Sequence, residues 1–291
     1  MSPTTSWNLS AFADEAGDST EEQIGALERA GLNSIDVRSL EGFNVSELPL
    51  DVAQIAAEKF ADAGITVGML GSPIGKIDID EDFEIDRNKL RHLAKLAPVF
   101  NCNAVRIFSY FNKNERPHDE WKSESLCRLS ALKDEAKKLG LVLYHENERH
   151  IFGDNLQNVS SIANELRDDE TFRLIFDFDN YNQGGEDVWQ NWLQLKGVTD
   201  AFHLKDSTKE YQHVPIGQGA GYAREILGDA FQSGWSGPIS LEPHLNHSGA
   251  VAATGPSGEA SQEFKDMSAE DCFHVAALEA KKLLQEIGAQ K

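Results

Sequence analysis

The sequence predicts an α/β fold, a single (β/α)8 TIM barrel over residues 1–291. Three observations carry that expectation. Short β-rich apolar runs alternate with longer stretches whose apolar residues recur at helical spacing, the pattern that builds a parallel sheet. The alternation runs through eight units, and barrels of this kind occupy about 250 residues as one domain. A doubly wound dinucleotide fold would show Gly-x-Gly-x-x-Gly after its first strand, where Asp14-Glu-Ala-Gly17 stands instead.

The first strand is read near Trp7 to Phe12. Asp18, Ser19 and Thr20 open the helix after it, Glu21 and Glu22 sit in its positive first turn, and Gly31 ends it. A second strand at Ser34–Val37 leads to a helix at Leu50–Ala63, which Gly64 stops before the strand Ile65–Leu70. A loop rich in Gly, Pro and Asp then precedes a helix near Arg87–Val99 and a fourth strand at Ala104–Phe108. A helix at about Glu120–Leu139 feeds the fifth strand, Leu141–Glu146. The sixth reads Phe172–Asp177, the seventh Ala201–Leu204 and the eighth Pro238–Glu242, each after a helical segment, with a last helix at Ala269–Ile287. One long loop, 243–268, breaks the rhythm after strand eight and reads as a lid or a surface insertion.

Lys and Arg total 27 against 48 Asp and Glu, a formal net charge of -21 that repels nucleic acid and anionic membrane surfaces at long range. No apolar run approaches the roughly 20 residues of a membrane span. The N-terminal residues lack a secretory pattern, and Cys102, Cys127 and Cys272 show no CxxC spacing. We therefore expect a cytoplasmic protein without a disulfide framework.

Glu146, Asp177, His203 and Glu242 stand at the C-terminal ends of four consecutive strands, and in a barrel those ends share the rim that carries active sites. Three crowded carboxylates would raise one another's proton affinity, and a cation between them removes that cost. The mixed oxygen and nitrogen set suits one divalent metal ion, whether Mn, Mg, Co or Zn. Polar residues near other strand ends (Asp14, Glu15, Arg38, Ser72, Arg106, Ser109) are candidates for substrate contact. Lys205 and His145 flank ligands, and His244 follows Glu242 closely enough to hydrogen-bond a ligand.

At these positions the sequence resembles the xylose isomerase-like barrel superfamily, in particular its sugar phosphate isomerase/epimerase members related to ketose 3-epimerases and hydroxypyruvate isomerases. The matching pieces are His145-Glu-Asn147, Asp177-Phe-Asp-Asn180-Tyr, His203-Leu-Lys-Asp206, Leu241-Glu-Pro-His244 and the turn Val214-Pro-Ile-Gly-Gln-Gly219. The resemblance implies that Glu146, Asp177, His203 and Glu242 are metal ligands, with Glu146 and Glu242 doubling as an acid/base pair. Asp179, two residues beyond Asp177, is an alternative ligand that period-two alternation places on the same face, and the resemblance favours Asp177 with Asn180. Gln218 stands where many relatives carry Glu, which speaks against a charge-related role for its turn.

The expected function is thus a metal-dependent isomerase or epimerase that moves a proton next to the carbonyl of a ketose or related polyol, through an enediolate. Substrate-binding residues are expected at His145, Lys205, Arg106, Asn180 and His244. A dehydratase of a cyclic polyol or keto acid and a non-catalytic sugar-binding barrel are the alternatives. The expected partner is a small carbohydrate, and the resemblance adds self-association into dimers or tetramers.

Overall fold

The computed structural model of the protein describes residues 8–246 and 259–288. Its strands β1 to β8 are Leu9–Ala11, Ser34–Val37, Thr66–Leu70, Ala104–Ile107, Val142–Glu146, Phe172–Asp177, Ala201–Leu204 and Ile239–Leu241. Every pairing among them is parallel, each strand from β2 to β8 lies beside the next in sequence, and β8 returns to β1. The (β/α)8 expectation holds, and each expected strand appears within two residues of its place; Trp7 lies outside the described residues.

Between β1 and β2 the barrel is closed by side chains. Ser10 Oγ donates to Asp36 Oδ1 at 2.7 Å and Ser34 Oγ to Ser10 Oγ at 3.2 Å. The helices α1 (Thr20–Ala30), α2 (Leu50–Asp62), α3 (Glu84–Phe100), α4 (His118–Leu139) and α5 (Leu156–Leu166) cover the first five strands. The short helices α6 (Phe178–Gln183) and α7 (Val188–Leu195) follow β6, α8 (Ala223–Gln232) follows β7, and α9 (Ala269–Gly288) ends the described chain. Local chemistry sets the helix limits. Ser19 and Glu22 form a reciprocal capping box at α1, and Gly31 ends that helix at φ +63°, a left-handed conformation that glycine adopts without a Cβ clash. Leu93, Leu129, Trp192, Phe202 and Ala277 are among the buried residues that weld helices to the outer face of the barrel. No helix among the described residues is long and apolar enough to cross a membrane.

The sequence did not foresee a three-stranded sheet above β7. Asp206–Ser207 pairs antiparallel with Gln212–Val214, which pairs parallel with Glu259–Ala260 from the long loop. That loop therefore returns to the β7 side of the rim, while its central part, 247–258, lies outside the described residues.

Candidate metal centre

Strand geometry explains how four residues distant in sequence meet. Asp177 and His203 are direct partners across the β6–β7 pairing, Glu146 ends β5, and Glu242 follows β8, its N–H donating to Leu204 O at 3.2 Å. One ligand atom from each of Glu146, Asp177, His203 and Glu242 lies within 4.8 Å of the others, and all four residues are buried. His203 Nδ1 sits 3.1 Å from Glu146 Oε1 and 3.4 Å from Glu242 Oε2, so this nitrogen faces the carboxylates.

Cations gather on the same group. Arg38 reaches Asp14 at 2.8 Å, Glu15 at 3.4 Å and Glu242 at 2.7 Å. Arg106 Nη1 bridges Glu146 at 3.3 Å and Glu242 at 3.2 Å, while its guanidinium packs on the rings of Phe12 and Phe108. Lys205 Nζ lies 3.2 Å from Asp177 and 3.8 Å from Glu242. Asp14, Glu15, Glu146, Asp177 and Glu242 thus set five buried carboxyl groups against these three cations. Glu146 Oε2, Asp177 Oδ2 and Glu242 Oε2 are also buried without a well-formed hydrogen bond among the described residues. Arg106 and Lys205 meet these oxygens only as loose ion pairs at 3.2 to 3.8 Å, and a mixed carboxylate and imidazole donor set of this kind fits a divalent metal ion.

The electrostatics separate the carboxylates. Burial alone would raise Glu242, but Lys205, Arg106 and His203 outweigh it and hold the carboxyl well below its ordinary range. Glu146 is likewise driven down against burial, chiefly by His203. Burial wins at Asp177, which is raised despite Lys205, and at Glu15, which is pushed up to about 8. Burial would lower His203, yet Glu146 and Glu242 raise it to about 9 in the metal-free protein.

Several expected contacts take other roles. His145 alternates with Glu146 along β5 and stands on the opposite side of the strand, where its ring stacks on Phe172 and Nε2 lies 2.9 Å from Ser109 Oγ. The ring is fully buried there, and burial lowers its pKa to about 4. Ser72 likewise donates backward to Arg106 O, and Ser109 Oγ accepts from Gly153 N. Asn180 Nδ2 donates to Glu146 Oε1 at 3.3 Å and its N–H to Asp177 Oδ1 at 2.8 Å, so it aligns two residues of the cluster.

Asp179 does not share Asp177's direction, because Asp177 is the N-cap of α6 and strand alternation ends there. Asp179 instead meets His213 Nε2 at 3.1 Å and Gln183 Nε2 at 2.7 Å. His213, absent from the sequence candidates, packs edge-on against His244 at 5.5 Å between ring centroids. His244 approaches Glu15 at 3.5 Å and Glu242 at 3.6 Å from a backbone held at φ +50°. Asn147 was also missed as a functional residue. Its Oδ1 accepts Asp177 N–H at 2.8 Å and its Nδ2 donates to Asp177 O at 3.0 Å, which clamps the backbone carrying that carboxylate.

The glycine turn has an internal purpose. Gly217, Gly219 and Gly221 each donate N–H to the Asp206 carboxylate at 3.0 Å, and a Cβ on Gly219 would come within 2.3 Å of Asp206 Oδ1. The turn's amides thus bind the chain's own anion, three residues beyond His203.

The family model described as "Xylose isomerase-like TIM barrel" matches residues 24–266. Among solved structures, the probable 3-DHS dehydratase AsbF of Bacillus anthracis, involved in petrobactin synthesis, is similar at 17% identity and TM-score 0.70, covering 95% of this chain and 99% of that one. A D-psicose 3-epimerase solved in the presence of D-fructose is similar at 14% identity and TM-score 0.71, covering 95% and 99%. The IolI protein solved with a zinc atom is similar at 15% identity and TM-score 0.71, covering 96% and 98%. No curated protein matches the sequence significantly. At these identities the structural likeness shows a shared fold.

Proposed function

Because the chain belongs to the xylose isomerase-like TIM barrel family, we propose that it is a cytoplasmic, metal-dependent isomerase or epimerase of a ketose or related polyol. The observation that carries the reading is the pair Glu146 and Glu242, held on either side of His203 Nδ1 at 3.1 and 3.4 Å with Asp177 beside it. Glu146, Asp177, His203 and Glu242 would hold one divalent ion, Mn, Mg, Co or Zn, which when bound polarises a carbonyl as a Lewis acid.

The protein's own groups supply the rest. Two glutamates on separate strands are both held low against burial by neighbouring cations, so one can remove a carbon-bound proton, and the other returns a proton once it has taken one from solvent or a substrate hydroxyl. Return to the opposite face of the same carbon makes an epimerase, and return to the adjacent carbon an isomerase. Lys205 and Arg106 contribute positive charge where negative charge builds on the substrate oxygens. The likeness to the epimerase and to the dehydratase supports proton transfer next to a carbonyl as the shared chemistry of the reading.

The test is proton exchange. Chelator-stripped protein, restored with each metal singly, is incubated with a panel of ketoses in D2O and followed by NMR. The reading expects deuterium at one carbon only after metal restoration. Loss of water to a product with a new ultraviolet chromophore would transfer the reading to a dehydratase. Sugar binding without exchange would identify a non-catalytic barrel.

A further inference from the structure

A polar well opens at the N-terminal mouth of the barrel, opposite the rim that carries the ligands. Its volume is about 340 Å³, and Ser10, Ser34, Asp36, Gly68 and Ser240 are among the residues that line it. Most TIM-barrel interiors are filled here by branched aliphatic side chains, so a buried carboxylate with three serines calls for a reason. Burial raises Asp36, opposed by the hydroxyls of Ser240 and Ser10 and then by His203, which places the two residues within each other's field.

The strand register shows where this carboxylate stands. Asp177, His203, Ser240 and Ser10 are consecutive register partners across β6, β7, β8 and β1, a series that the barrel's shear carries from the rim down to the well, with Ser240 directly beside His203. Ser10 and Ser240 each donate to a different oxygen of Asp36, which fixes the carboxylate next to Ser240, the neighbour of His203. The bore of an eight-stranded barrel is only wide enough for side chains to fill, so inward-facing side chains of neighbouring strands converge near its axis. A register shift between Ile35 and Asp36 leaves Gly68 unpaired on β3, and a Cβ on Gly68 would meet Asp36 Oδ1 at 2.7 Å. A bulge of this kind re-aims a side chain, and here the glycine leaves it room.

His203 presents the complementary need. Its Nδ1 faces Glu146 and Glu242, while the edge of the ring packs against Phe12 at 5.4 Å. Its Nε2 is fully buried without a hydrogen-bond partner among the described residues. A metal-binding imidazole ordinarily donates its second N–H to a carboxylate or carbonyl that fixes the tautomer and the ring orientation.

We propose that Asp36 is the positioning carboxylate for His203, accepting its Nε2–H through one water across the barrel bore, so that the tautomer with a free Nδ1 faces the ion. The inference rests on the reading of His203 as a metal ligand, and it gives the serines a purpose: Ser10 and Ser240 hold Asp36 in place.

The test is zinc affinity by calorimetry on the wild type, Asp36→Asn, Ser240→Ala and, as a control for purely structural loss, the buried carboxylate variant Asp86→Asn. Asp36→Asn is expected to weaken zinc binding roughly 10- to 100-fold, with Ser240→Ala weaker in the same direction and Asp86→Asn unchanged. In 15N-histidine spectra of the zinc-loaded wild type, His203 should carry an exchange-protected proton on Nε2, and Ser240→Ala should reduce that protection. Wild-type zinc affinity in Asp36→Asn, or an Nε2 without a proton, overturns the role of Asp36 while leaving the metal centre intact. If Asp36→Asn does not fold, Ser240→Ala and the wild-type spectrum decide. A wild type that binds no divalent ion overturns the metal reading and the inference with it.

Discussion

Metal binding should compete with a proton on His203. The perturbation is pH, and its size follows from the site: with no ion bound, Glu146 and Glu242 outweigh burial and raise His203 from 6.5 to about 9. An ion that takes Nδ1 must displace that proton. At pH 7 the displacement costs about 3 kcal/mol, on the order of a 100-fold loss of affinity relative to pH above 9. The dissociation constant should therefore fall about tenfold per unit between pH 7 and 9 and then level off. The linked effect on folding has the opposite sign. A raised histidine pKa stabilises the metal-free protein fully below 6.5, by about 3 kcal/mol, and that contribution disappears as pH rises through 9. Calorimetry in two buffers of different ionisation enthalpy measures both the constant and the proton released. An affinity that is flat from pH 7 to 9, with no proton release, would refute the placement of His203 Nδ1 at the ion.

Two further predictions test the supports of the site. Asp206→Ala leaves the N–H groups of Gly217, Gly219 and Gly221 without their shared acceptor; at about 1–3 kcal/mol for each buried donor, partly recovered by water, the melting temperature should drop on the order of 10 °C. A thermal transition within experimental error of the wild type would show that the turn does not depend on that carboxylate. Asn147→Ala removes both clamps on the Asp177 backbone and should weaken metal binding roughly tenfold, read by titration with manganese. Unchanged affinity would mean that Asp177 is positioned without the clamp.

The fold was legible because strand and helix periods differ and because glycines such as Gly31 mark helix ends. The clustering of Glu146, Asp177, His203 and Glu242 was legible because residues at or just beyond a strand's end gather at the rim, a one-dimensional property that the sequence displays. What failed was local or long-range in a way that spacing does not encode. Asp179 looked like a same-face neighbour of Asp177 only while the strand was assumed to continue; the N-cap at Asp177 turns the chain into a helix. Beside Glu146, alternation itself sends His145 outward, a consequence that its place next to a ligand obscured. Asn147 stood in a recognised tripeptide, yet its clamp spans 30 residues to the next strand, and the contact of His213 with Asp179 spans 34. Arg38 was one polar residue among several near the rim, and only the folded chain shows it joined to Asp14, Glu15 and Glu242.

The central claim is that Glu146 and Glu242 move protons at a site held by metal ligands. Its most direct test is solvent deuterium incorporation into a ketose that the metal-restored wild type exchanges, compared with Glu146→Gln and Glu242→Gln at matched metal occupancy. The account predicts that either substitution abolishes exchange while the circular dichroism spectrum and melting transition remain those of a folded barrel. Undiminished exchange in either variant would contradict it.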